Sequence, residues 1–116
     1  MNLGLLAALG AAFGSVLRYE VSQLIDSTNY PWATFTVNVL GSFLIGIFIA
    51  LPVIHGNDNR RVFLITGLLG GFTTFSAVAV ESLQMSAQGA LLYVFASVIS
   101  GTLAATIAFK VSSKFS

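Results

Sequence analysis

The chain has no cysteine, which rules out a disulfide framework, a thiolate metal site and a cysteine nucleophile. Charge is nearly as scarce: Lys, Arg, Asp and Glu make up 8% of the 116 residues, against about 25% in soluble domains. The net charge is only +1, and the basic residues form no stripe, so a nucleic-acid partner is excluded. The single histidine, His55, lies in a polar loop with no second ligand or orienting partner beside it, which argues against metal binding and general-base chemistry. Glu20, Asp26, Asp58 and Glu81 are the only carboxylates, and no spacing among them suits a dyad or a triad. The chain is therefore expected not to be an enzyme. Nor does it begin with a basic stretch, so the apolar N-terminus is read as part of the mature protein rather than as a secretory signal.

Apolar residues fill the space that charge leaves. The sequence is 56% hydrophobic with a mean hydropathy of +0.91, the composition of a small integral membrane protein surrounded by lipid. Four apolar segments follow one another: Leu3 to Ile25, about Trp32 to Ile54, Val62 to about Met85, and Leu91 to Val111. Helices of roughly 20 residues cross a hydrocarbon core of about 30 Å. The connecting stretches are Asp26 to Pro31, His55 to Arg61 and Ser86 to Gly89, and no soluble domain remains once the spans are removed. Residues 1–116 thus read as a single four-helix transmembrane domain whose function lies in the membrane.

The polar residues inside the spans carry the functional information. In the third segment, Gly70 and Gly71 are followed by Thr73, Thr74 and Ser76, whose hydroxyls can take over freed backbone hydrogen bonds. This predicts a helix break at Gly70-Gly71. Irregular backbone at membrane depth must be enclosed by protein or water, so the break is a candidate ion site; alternatively, the two glycines only permit close helix packing. Gly10 and Gly14 form a similar small-residue pattern in the first segment, which carries the polar cluster Arg18, Tyr19 and Glu20 near its end. Arg18 is either an interfacial anchor or the wall of an aqueous vestibule. Asn38, about two turns into the second segment, requires hydrogen-bond partners. In the fourth segment Tyr93, Ser97, Ser100 and Gly101 recur at three- and four-residue spacing and make one face small and hydroxylated. Uncharged donors of this kind suit an anion, whereas carbonyls freed at a break suit a cation.

Three of these stretches resemble motifs of the fluoride channel family known as Fluc or CrcB. They are Gly10-Ala11-Ala12-Phe13-Gly14-Ser15-Val16-Leu17-Arg18-Tyr19, then Pro31-Trp32-Ala33-Thr34-Phe35-Thr36-Val37-Asn38-Val39-Leu40-Gly41-Ser42-Phe43, and Gly67-Leu68-Leu69-Gly70-Gly71-Phe72-Thr73-Thr74-Phe75-Ser76. The resemblance implies an all-α membrane protein of four helices with a break in the third, assembled as an antiparallel dual-topology dimer of this chain with itself or with a homologous chain. It implies passive fluoride export along pathways at the dimer interface, in a bacterial inner membrane. The pathway residues carried over by motif are Asn38, Phe75, Ser76, Thr34 and Arg18, with Tyr93 and Ser97 joining them from the fourth segment. A structural sodium ion is implied as well, held by the backbone carbonyls of Gly70 and Thr73 in both subunits.

The sequence departs from the family pattern in two places. Ala77, Val78 and Ala79 stand where the third motif usually has threonine, a second phenylalanine and serine, and Ala33 replaces a glycine in the second motif. The basic residues are also lopsided. Arg60, Arg61, Lys110 and Lys114 fall on one side, against Arg18 towards the other, which by the positive-inside rule predicts both termini in the cytoplasm. Both departures fit one half of a heterodimeric channel. The same residues also admit a purely structural packing subunit, or a small proton-coupled transporter that uses Glu81.

Overall fold

A computed structural model describes residues 2–25 and 30–115. The expected first loop, Asp26 to Pro31, lies outside the described residues at positions 26–29. Four helices are long and apolar enough to cross a membrane, over Leu3–Leu24, Trp32–Ala50, Asp58–Ser82 and Ala87–Ser113. The all-helical, multi-pass architecture expected from the sequence is present, with shifted boundaries and a shifted break.

Helix α1 (Leu3–Leu24) starts where the Asn2 side chain accepts hydrogen bonds from the Gly4 and Leu5 amides at 2.7 and 3.2 Å, satisfying two otherwise orphaned donors. Helix α2 (Trp32–Ala50) stops earlier than the apolar pattern suggests. Pro52 disfavours helical backbone at the residue before it, and Leu51 is extended (φ −92°, ψ 115°). A separate turn, α3 (Pro52–His55), then begins with that proline in its first turn. The second segment is therefore not one helix to Ile54.

Helix α4 (Asp58–Arg61), capped by the Asn57 side chain on the Arg60 amide at 3.0 Å, runs on into a π-helical stretch, Val62–Leu69. This leads into α5 (Gly70–Phe72). Gly70 is helical (φ −62°, ψ −38°), so the chain does not break at Gly70-Gly71. The break falls at Thr73 (φ −88°, ψ 153°) and Thr74 (φ −154°, ψ 115°), after which α6 (Phe75–Ser82) resumes. The last helix, α7 (Ala87–Ser113), opens on the Ser86 side chain, which accepts from the Gly89 amide at 3.1 Å. That cap draws Ala87 to Gly89 into the helix, where a turn reaching Gly89 was expected.

Packing explains what the glycines do instead. A Cβ on Gly10 would lie 2.8 Å from the Leu68 amide nitrogen and 3.0 Å from Gly67 Cα. One on Gly14 would lie 2.8 Å from the Phe72 nitrogen, and one on Gly71 would lie 2.9 Å from Ala11 Cα and strike the Ala11 carbonyl. Side chains are excluded at these points because two backbones touch. The α1 helix thereby grips the π-helical stretch and α5 as one pair. Helices α2 and α7 form the second pair, where a Cβ on Gly46 would strike the Ala105 carbonyl. Val37, Leu69, Phe72, Val78 and Tyr93 form part of the buried core.

Candidate functional site

The break is held open by side chains from other helices. Asn38 of α2 pairs with the Thr74 backbone twice: its Oδ1 accepts from the Thr74 amide at 2.7 Å, and its Nδ2 donates to the Thr74 carbonyl at 3.0 Å. Its amide thus replaces the helical bonds that an extended residue has lost. Thr74 Oγ1 accepts from the Ala77 amide at 3.1 Å and caps α6, while Thr73 Oγ1 donates to the Leu69 carbonyl at 2.9 Å. These contacts fix the break at the threonines. Of the three hydroxyls only Thr74 Oγ1 takes over a freed backbone group; the Leu69 carbonyl that Thr73 Oγ1 bonds already accepts from the Thr73 amide, and Ser76 Oγ bonds Thr74 Oγ1 at 2.9 Å.

Two grooves meet at Thr74. The larger, of about 320 Å³, lies between α2, the break and α7 and is lined by Asn38, Ser42, Thr73, Thr74, Phe75, Val78, Ser97, Val98, Gly101 and Thr102. Its distinctive atom is Ser97 Oγ, which is buried and has no hydrogen-bond partner among the described residues. A buried hydroxyl without a partner costs on the order of 1–3 kcal/mol, so a ligand that accepts its proton would relieve that cost. Phe75 is 70% exposed, whereas Val78, which also lines the groove, is 1% exposed.

The smaller groove, of about 200 Å³, is lined by Arg18, Tyr19, Ser22, Ala33, Thr34, Val37, Thr74, Ala77 and Glu81. Arg18 Nε donates to the Gly71 carbonyl at 3.2 Å, a cation at the C-terminal end of α5 where helix carbonyls are unpaired. Glu81 joins three elements: Thr34 Oγ1 donates to its Oε1 at 2.7 Å, and Tyr93 OH donates to its Oε2 at 2.9 Å. Tyr93 is fully buried.

The family model described as "CrcB-like protein, Camphor Resistance (CrcB)" matches residues 5–109. The chain belongs to the CrcB family. Curated CrcB relatives carry the name "Fluoride-specific ion channel FluC". One from Thermus thermophilus is 42% identical over 118 residues, covering 95% of this chain and 94% of its own. Another, from Phocaeicola vulgatus, is 47% identical over 107 residues, covering 85% of this chain and 88% of its own. A third, from Agrobacterium fabrum, is 42% identical over 103 residues, covering 81% and 82%. The CrcB assignment makes the protein a channel rather than an enzyme, as the lack of a catalytic constellation suggested.

Within this CrcB fold the residues singled out from the sequence divide. Asn38, Phe75 and Ser97 line the larger groove, and Arg18 and Thr34 line the smaller one. Tyr93 lines neither groove but bonds Glu81 of the smaller one, and exposed Ser76 lines neither groove. The carbonyls around the break bear on the sodium ion that the resemblance implies. Leu69 O is taken by Thr73, Gly71 O by Arg18 and Thr74 O by Asn38, while among the described residues the carbonyls of Gly70 and Thr73 accept no hydrogen bond outside the helix ladders. Free oxygen ligands of this kind fit a hard cation. Sequence reasoning left out Ser42 and Thr102, although Ser42 lies four residues after Asn38 and hence on the same helix face.

Proposed function

We propose that the chain is a subunit of a fluoride-selective channel that exports fluoride passively across the bacterial inner membrane. In this reading it pairs with an antiparallel partner, and the larger groove becomes a pore where the two chains meet. The observation that carries it is Ser97: a buried, unsatisfied hydroxyl in a groove without charged side chains, beside an exposed phenylalanine. A small anion entering such a groove exchanges water for hydroxyl protons and for the electropositive edge of the Phe75 ring. Asn38 holds Thr74 in place and keeps one amide hydrogen free for the anion. A groove open along one side of a four-helix chain needs a second wall, and a partner chain supplies it.

A sodium ion held by the Gly70 and Thr73 carbonyls of two chains would place a fixed positive charge at the dimer centre. Arg18 adds positive charge beside the same break. Selectivity and the path are tested by efflux from vesicles, comparing fluoride with chloride and the wild-type chain with Ser97→Ala. Rapid fluoride efflux, slow chloride efflux and a fluoride rate at least about tenfold lower in the variant are expected, since about 1.4 kcal/mol corresponds to a factor of ten. Equal halide rates would refute the reading.

A second reading, one half of a heterodimeric channel, is favoured by Val78. Its side chain is almost wholly inside this chain, at the position where the resemblance places a second pore phenylalanine. A proton-coupled carrier built on Glu81 draws less support, because both carboxylate oxygens already accept hydroxyl protons from two other helices.

A further inference from the structure

The hydroxylated face of α7 has a gap at Gly101, one turn beyond Ser97: Thr102 beside it lines the groove, but position 101 itself offers no donor. The space in front of Gly101 is not empty, because a Cβ built there would lie 3.1 Å from Ser42 Oγ and 3.8 Å from Ser42 Cβ. Opposite position 101 the groove thus takes its hydroxyl from α2. Helix serines commonly return their proton to the carbonyl four residues back, but Ser42 makes no hydrogen bond among the described residues, so its proton is free to meet a ligand in the groove.

We infer that Ser42 is a fluoride donor of this channel, receiving the ion beyond Ser97 and taking the place of a hydroxyl at position 101. The inference rests on the fluoride-channel reading above. Ser42 and Ser97 line the same groove from facing helices, so an anion moving along it passes from one hydroxyl to the next without returning to water. Gly101 is part of the arrangement, since any side chain there crowds Ser42 Oγ.

The test uses membrane vesicles from cells carrying each variant at the native locus, with fluoride efflux as the readout. Ser42→Ala is expected to lower the rate at least about tenfold. Ser42→Cys, which keeps the volume with a much weaker donor, is expected to be slow as well. Adding Gly101→Ser to Ser42→Ala puts a hydroxyl into the space just vacated, and the double variant is expected to regain most of the rate. A slow single variant without such rescue would assign Ser42 to packing and overturn the inference. Wild-type efflux from Ser42→Ala alongside slow efflux from Ser97→Ala would overturn it too, leaving the channel reading intact. Wild-type efflux from both variants would remove the groove from the pathway altogether.

Discussion

Asn38 is bound to one residue by both of its polar atoms, and this shapes what substitution there must do. Asn38→Asp keeps the acceptor for the Thr74 amide but loses the donor to the Thr74 carbonyl, and it places a negative charge in the groove. Fluoride efflux is therefore expected to fall well over tenfold, read by an ion-selective electrode; an unchanged rate would take Asn38 out of the site. Glu81 presents a similar case one helix away. Glu81→Gln has one acceptor where the carboxylate has two, so the hydroxyl proton of either Thr34 or the fully buried Tyr93 loses its acceptor. A buried hydroxyl proton left without an acceptor costs about 1–3 kcal/mol. Unfolding in detergent should show a loss of that size, whereas an unchanged midpoint would mean that the two hydroxyl bonds do not support the fold.

At the scale of the helices, two adjacent glycines do different work. A Cβ on Gly70 would find only the Ile65 carbonyl at 3.8 Å, an ordinary contact, whereas one on Gly71 would strike the backbone of Ala11. Gly70→Ala is expected to be tolerated, with a gain of up to about 1 kcal/mol from helix propensity. Gly71→Ala should cost about 1–3 kcal/mol as the α1 contact is forced apart. Equal stability of the two variants would disprove the distinction. This contrast marks where the sequence stops being legible. Four spans, an interruption in the third and the pairing role of Gly10 and Gly14 follow from hydropathy and small-residue spacing. The position of the break does not, because it depends on Asn38, 36 residues upstream of Thr74, and on Gly71 being occupied by packing. The same limit hid Ser42, whose value is set by the glycine facing it on α7. Local propensity also gives no sign of the π-helical turn at Val62–Leu69, which continues an ordinary apolar run. Removal of the Thr73 hydroxyl tests the proposed ion site at this scale. Thr73→Ala loses the bond to the Leu69 carbonyl but keeps its own carbonyl, so sodium should still bind; loss of the ion in an assembly that remains intact would point to hydroxyl ligation.

For the whole molecule, the decisive question raised by the proposed channel is which chain would supply the second wall of the groove. A homodimer of antiparallel copies needs this chain to insert both ways in comparable amounts. Four of its five Lys and Arg residues lie on the side of the termini, and such an excess orients a small membrane protein with that side in the cytoplasm. The Asp58 carboxylate, 3.0 Å from Arg61, does little to offset this, since acidic residues contribute weakly to topology. The buried Val78 adds a local reason, because two copies of this chain would bring two grooves that both lack an aromatic ring at that position. The chain expressed alone is thus expected to insert in one orientation and to transport fluoride poorly, and a homologous chain of opposite orientation should restore transport. The absence of cysteine makes the first half directly measurable, since Phe115→Cys, at an 84% exposed position near the C-terminus, creates a unique thiol. An impermeant thiol reagent should label it only from the cytoplasmic side. Equal labelling from both sides, together with full-rate efflux from vesicles containing this chain alone, would overturn the heterodimer, and the groove would then conduct between two identical chains with Val78 accommodated beside the pore.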